Sequence, residues 1–132
     1  MKFSSKTRYG MRAMIELARC YPDKPIFLKD IAEHQKISMK YLDRIVSSLK
    51  VKGLIVRIKK GYILGRPPDK INCGEIVDVL EGSLNPVVCL DSPSVCERYS
   101  DCEAKKVWER AGTNLRETLE SFTLKDLIDG NV

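Results

Sequence analysis

The sequence predicts a mainly α-helical fold with one small β-hairpin, and three observations carry that prediction. Apolar residues recur at helical spacing in Met11, Met14, Ile15 and Ala18, and again in Leu42, Ile45, Val46 and Leu49. After Gly53 the period changes: LIVRI (54–58) is β-branched, KKG supplies a turn, and YIL (62–64) returns. At 132 residues and 43% hydrophobic content, the chain is of single-domain size with enough apolar material for a core.

The first stripe predicts a helix over about Lys6–Cys20, which YPDKP then breaks. LKDIAEH forms a short helix with Leu28, Ile31 and Ala32 facing inward. A brief polar interruption leads to ISMKYLDRIVSSLKVKG, where Ser38 is a good N-cap and Gly53 a good C-terminal stop. Short helix, tight turn, longer helix and a hairpin beside them is the pattern of a winged helix-turn-helix, placed here in residues 1–70.

In such a module the start of the second helix enters the major groove of DNA, so its exposed residues are the candidate base readers. These are Ser38, Met39, Lys40, Tyr41, Asp43 and Arg44. Arg44 has donors for guanine edges, Asp43 accepts from a cytosine amine, and Lys40 suits a phosphate. On the hairpin, Arg57, Lys59 and Lys60 are placed to grip the backbone or the minor groove; Lys6, Tyr9 and Arg12 are phosphate contacts from the first helix. For each single residue the alternative is a solvated side chain.

Beyond residue 70 the chain changes character. RPPDKINC is a linker or edge segment, because consecutive prolines stop the hairpin and favour extended backbone. GEIVDVLEG reads as a short helix closed by Gly82, and a cysteine loop follows over about 84–102. From about 103 to 122 a long helix is predicted, with Trp108, Ala111, Leu115, Leu119 and Phe122 stepping by three or four. Such a narrow seam suits pairing with a second copy, which would set two basic modules on a palindromic duplex; intramolecular core is the equal alternative. Thr123 to Asp126 has the form of a capping box opening a last short helix.

Charge follows the same division. Residues 1–70 hold 17 Lys and Arg against 6 Asp and Glu, a net of +11, whereas residues 71–132 hold 6 against 12, a net of −6. A basic half joined to an acidic half suggests a polyanion-binding module carrying a second module with another task. No phosphate-cradling glycine loop and no acid–base constellation favours an enzyme. No apolar run reaches the roughly 18 residues of a membrane span, and a cytoplasmic protein is predicted.

The five cysteines are an odd number, which argues against a disulfide framework in a reducing compartment. Cys89, Cys96 and Cys102 are spaced by six and five residues, unlike the two-residue knuckles of zinc sites. Wider spacing on a loop suits an iron–sulfur cluster bound from separate turns, or thiol redox chemistry. Cys20 reads as a semi-buried residue at a helix end. Cys73 precedes Gly74 at a helix start, where mild activation of the thiol competes with a structural role, and His34 is the only histidine.

Taken together, MKFSSKTRYGMRAMIELA, LKDIAEHQKISMKYLDRIVSSLKVKGLI, GYILGRPPDKI, the Cys-x6-Cys-x5-Cys loop, the Trp108 helix and FTLKDLI resemble the IscR/NsrR-type family of bacterial winged-helix transcription regulators. The resemblance covers nearly the whole chain. It implies a homodimeric DNA-binding repressor or dual regulator whose Cys89, Cys96 and Cys102 hold an iron–sulfur cluster, 2Fe-2S rather than 4Fe-4S. The alternative is a cluster-free repressor responsive to thiol redox state or to a protein partner, for example in cysteine metabolism. Three departures bear on that choice. Only Lys59 and Lys60 stand where the family has a glycine-rich wing tip. Lys105 stands where assembly regulators supply a histidine, and an ammonium has no lone pair to give. Arg8 stands where nitric-oxide sensors use an acid. The fourth ligand is therefore open among Glu97, Asp101, Glu103, Ser100, an exogenous thiol or the partner subunit. Lys36 stands where the turn often has glycine.

Overall fold

The structure is a computed structural model and describes residues 2–132. Helix α1 (Ser5–Cys20) opens on Ser4, whose side chain accepts from the Thr7 N–H at 3.2 Å. The buried face of α1 is Gly10, Ala13, Met14, Leu17 and Ala18. This corrects the predicted stripe: Met11 and Ile15 are only half-buried at its margin. The shift follows from Gly10, where α1 lies so close to a later helix that a Cβ would come within 2.2 Å of Leu80 Cδ1. Periodicity alone cannot register a contact made with a hydrogen atom.

Helices α2 (Leu28–Gln35) and α3 (Met39–Val51) form the helix-turn-helix. Lys36 links them in the left-handed region, at φ 56 and ψ 46, and its N–H bonds back to the Ala32 and Glu33 carbonyls. Ser38 caps α3 by accepting from the Tyr41 N–H at 3.1 Å. Leu42, Ile45, Val46 and Leu49 are all buried, as the spacing predicts. Strands β1 (Ile55–Ile58) and β2 (Gly61–Leu64) pair antiparallel, with Ile55 opposite Leu64 and Ile58 opposite Gly61. Lys59 and Lys60 alone close the hairpin, so the wing is short, and Lys59 bends at φ 57. A feature the sequence did not announce is Ile26, which exchanges two backbone hydrogen bonds with Tyr62 and seats the segment before α2 on the wing.

A 3₁₀ turn at Pro68–Lys70 leads into α4 (Cys73–Glu81), whose capping box pairs Asn72 with Glu75. Three further 3₁₀ turns, Val88–Leu90, Pro93–Val95 and Tyr99–Asp101, carry the cysteine loop to α5 (Lys105–Glu120). Helix α6 (Leu124–Asp129) opens on the expected Thr123–Asp126 capping box. It returns to the first half of the chain, with Leu124 fully buried in the same cluster as Met14, Leu42, Ile71, Ile76 and Leu80.

Candidate nucleic-acid interface and cysteine loop

Helix α3 has two faces. Opposite its buried stripe, Lys40, Asp43, Arg44 and Ser47 are exposed at i, i+3, i+4 and i+7. Ser47 shares the exposed face of the predicted residues, and the same spacing could have shown it. Met39 is 47% exposed at the start of the helix. Ser38 and Tyr41 are differently placed from the other four. The Ser38 oxygen is committed to capping, and Tyr41 is half-buried with its ring edge against Tyr9, centroids 6.1 Å apart. Arg12 lies over the Tyr9 ring, its guanidinium carbon 5.7 Å from the centroid. Arg12, Tyr9 and Tyr41 thus link α1 to the start of α3.

Arg57, Lys59 and Lys60 are exposed on the wing, and Lys60 shares a cleft with Met39, Phe27, Leu28 and Lys29. The wing tip, the start of α3 and the start of α2 therefore meet on one surface. Phe27 and Lys29 were not singled out from sequence. Phe27 stands at the N-cap of α2 with no side-chain capping bond, an unusual place for a ring, and it is 45% exposed.

The winged half is tied to α4 at two points. Arg66, just after β2, donates from Nη1 to the Lys70 carbonyl at 2.8 Å and from Nη2 to Glu75 at 2.7 Å. At the other end of α4, Glu81 accepts from the Ser4 N–H at 3.1 Å, the Ser4 hydroxyl at 3.0 Å and the Thr7 hydroxyl. The bond from Thr7 leads in holding the Glu81 carboxyl below its ordinary range. For Glu75 the largest influence is burial, which pushes upward, but the bonds from Arg66 and from the Asn72 N–H, with the Arg66 charge, outweigh it.

The cysteine loop is open. Cys96 is exposed, Cys89 and Cys102 are half-exposed, and all three are free thiols. Cys96 and Cys102 line one cleft of about 480 Å³ with Arg98, Asp101 and Glu103. Cys89 is outside that lining, on the first 3₁₀ turn. Polar clips hold the loop at both ends. Asp91 accepts from Ser83 at 2.6 Å and from the Asn85 amide at 2.7 Å, in that order the causes of its lowered pKa. At the far end Lys105 donates to the Tyr99 carbonyl at 2.7 Å, with its nitrogen 4.0 Å from the Tyr99 centroid. Among the described residues, no three His, Cys, Asp or Glu side chains gather to hold a metal ion. In this arrangement the three thiols are not gathered around one point, and the clip from Lys105 to Tyr99 occupies the place the resemblance gives to a histidine ligand.

On α5, Trp108 is 40% exposed and Ala111 is exposed, while Leu115 and Leu119 are half-buried; Phe122, predicted to end the helix, is half-buried just beyond its last residue, Glu120. Cys73 is buried; burial first, and the Asp126 charge second, push its thiol upward, which opposes activation. No described helix is long and apolar enough to cross a membrane.

The sequence model of Rrf2, described as an iron-dependent transcriptional regulator, matches residues 3–130. The chain belongs to the Rrf2 family. Among Rrf2 relatives, it is 40% identical over 130 residues to the HTH-type transcriptional regulator CymR of Bacillus subtilis, covering 96% of this chain and 89% of that protein. It is 30% identical over 134 residues to the HTH-type regulator IscR of Aliivibrio salmonicida, covering 99% of this chain and 79% of that one. Among solved structures, that of CymR, the global cysteine regulator of B. subtilis, superposes with a TM-score of 0.77 over 96% of this chain and 95% of its own, at 40% identity. That of T. potens IscR gives 0.75 over 100% and 89%, at 36% identity. As an Rrf2 member the chain is a DNA-binding transcription regulator and not an enzyme, and its fold is that of a winged-helix regulator.

Proposed function

We propose that the chain acts as a homodimer on a palindromic operator and that the thiols of its loop set the affinity. Lys40, Asp43, Arg44 and Ser47 read bases, with Met39 beside them; Arg57, Lys59 and Lys60 hold the backbone. The exposed Trp108 and Ala111 of α5 begin the seam that a second copy covers. The single observation that carries the thiol reading is the shared cleft of Cys96 and Cys102, with Cys89 apart and Lys105 clipped to Tyr99. In the sensing step hydrogen peroxide takes two electrons from the Cys96 and Cys102 thiols. The sulfurs join in a disulfide, and the two thiol protons with the peroxide oxygens leave as two waters. The loop then pulls on α5 and α4, and α4 passes the change to the winged half through Arg66–Glu75 and through Glu81 with Ser4 and Thr7.

Cluster control is the second reading, favoured by the family's iron-dependent description and by the IscR relatives. One experiment separates the two. Iron and acid-labile sulfide per chain are measured on protein purified without oxygen, beside its affinity for a duplex selected from a random pool, before and after peroxide. Negligible iron with a peroxide-dependent change in affinity supports the thiol reading. About two irons and two sulfides per chain support the 2Fe-2S reading instead.

A further inference from the structure

The face of α1 made by Glu16, Arg19 and Cys20 meets the face of α2 made by Phe27, Asp30 and His34 across a groove of about 580 Å³. Spacings of three and four residues keep these side chains together along each helix. The volume falls in the range of small-molecule sites, roughly 300–1,000 Å³. Neither the base-reading face of α3 nor the cysteine loop uses this groove.

Facing positions of two packed helices in a small domain are ordinarily apolar, yet here they carry both signs of charge above Ile26 and Phe27. Glu16 is anchored: its side chain is 17% exposed, Nδ1 of His34 is 3.2 Å from one oxygen, and the Gln35 amide donates to the other. Arg19, Lys24 and Asp30, by contrast, have no ion-pair partner among the described residues. Two cations and a carboxylate left unpaired over an apolar floor suit a ligand with both charges close together and a modest apolar body. A bare metal ion is not such a ligand, and no metal-holding group of side chains occurs here.

We propose that this groove is an effector site for a zwitterionic α-amino acid. Arg19 and Lys24 take the carboxylate, Asp30 takes the ammonium beside Glu16, and the side chain rests on Ile26 and Phe27. Phe27 also walls the cleft shared by Lys29, Met39 and Lys60, so a ligand that moves its ring alters the spacing between the start of α3 and the wing tip. Amino-acid binding and operator binding are then linked, each changing the other by the same factor. This linkage rests on the DNA surface proposed above, whereas the site itself does not.

The test titrates the full ¹⁵N-labelled chain with L-serine, L-cysteine and L-leucine, with acetate and methylamine as half-ligands, and repeats the operator measurement with and without the amino acid. The expected result is saturable shifts at Arg19, Cys20, Ile26 and Phe27 with at least one amino acid and not with the half-ligands. Asp30→Asn and Arg19→Gln each weaken that binding roughly tenfold or more. Phe27→Ala weakens that binding and diminishes its effect on operator affinity. Absence of saturable shifts with all three amino acids overturns the site, as do equal shifts with acetate, which would mean an adventitious ion only. Saturable binding that leaves operator affinity unchanged overturns the effector role. Operator binding by the ligand-free chain, measured in the same series, keeps a failure of this site distinct from a failure of the DNA reading.

Discussion

Helix α3 and the cysteine loop are built on opposite terms. Four side chains of α3 lie fully inside the core, its start is capped by Ser38, and only one face reaches solvent. From Asn85 to Ala104, by contrast, no residue is buried, and the chain is held by short 3₁₀ turns and two polar clips. The first arrangement keeps a set of side chains at fixed spacing on a rigid element. The second leaves thiols accessible in a segment whose own contacts are few, so a modest chemical change there can alter its conformation. In the proposed reading the two are joined by α4, which is bonded to the winged half through Glu75 and Glu81.

Core substitution breaks the comparison most sharply. Leu42→Ala in α3 should cost about 2–5 kcal/mol, because a buried leucine leaves a cavity. Val95→Ala in the loop, where the side chain is exposed, should stay within about 0.5 kcal/mol. Chemical denaturation of the two variants measures both, and similar losses would mean that the loop is packed in solution.

On the exposed side of α3, Arg44→Ala should weaken operator binding by about 1–3 kcal/mol and relax preference at one base pair, with stability unchanged. The paired wing change Lys59→Ala with Lys60→Ala should weaken all sequences alike and lower the salt slope by about 2. Binding isotherms at several salt concentrations distinguish the two patterns. In the loop, Cys96→Ser and Cys102→Ser should leave unpoisoned affinity and stability near wild type, yet abolish the response to peroxide. Retention of the response in both variants would remove these thiols from sensing.

The joint gives a pH dependence. Folded Glu75 and Glu81 both titrate below their ordinary 4.5. A depressed carboxyl contributes stability that is fully present above the unfolded value and disappears as pH falls through the folded one. The denaturation midpoint should therefore fall as pH drops below about 4.5, and Glu81→Gln should flatten that fall while lowering the plateau at neutral pH. An unchanged acid limb in Glu81→Gln would show that Ser4 and Thr7 do not hold α4 in solution.

The sequence made the first region far more legible than the second. A stripe such as Leu42–Ile45–Val46–Leu49 marks its element, its face and its cap, because each signal is local. The same kind of reasoning misplaced the centre of α1, since Gly10 is buried by its approach to Leu80, a tertiary contact without local trace. Phe27 and Lys29 escaped notice because the wing cleft forms only when Ile26 pairs with Tyr62. In the loop, three cysteines were plain to see, but which two share a cleft depends on turns with no periodicity. The clip from Lys105 to Tyr99 was hidden for the same reason: the sequence shows only that a ligand type is missing.

The smallest expected effect lies within the rigid region, at the link between α2 and α3. Lys36 holds φ 56, where a Cβ crowds the following carbonyl at a cost of roughly 1–2 kcal/mol. Lys36→Gly removes that cost but gives the unfolded chain more freedom, which returns about 0.5–1 kcal/mol. The difference should be a stabilisation of at most about 1 kcal/mol, read as a shift of the denaturation midpoint with an unchanged slope. Lys36→Asn, which tolerates the left-handed region without glycine's freedom, should match or exceed it. If instead both substitutions destabilise, the side chain of Lys36 makes a contribution on the DNA-facing side of the turn that outweighs backbone strain, and the rigid region would itself carry a functional concession.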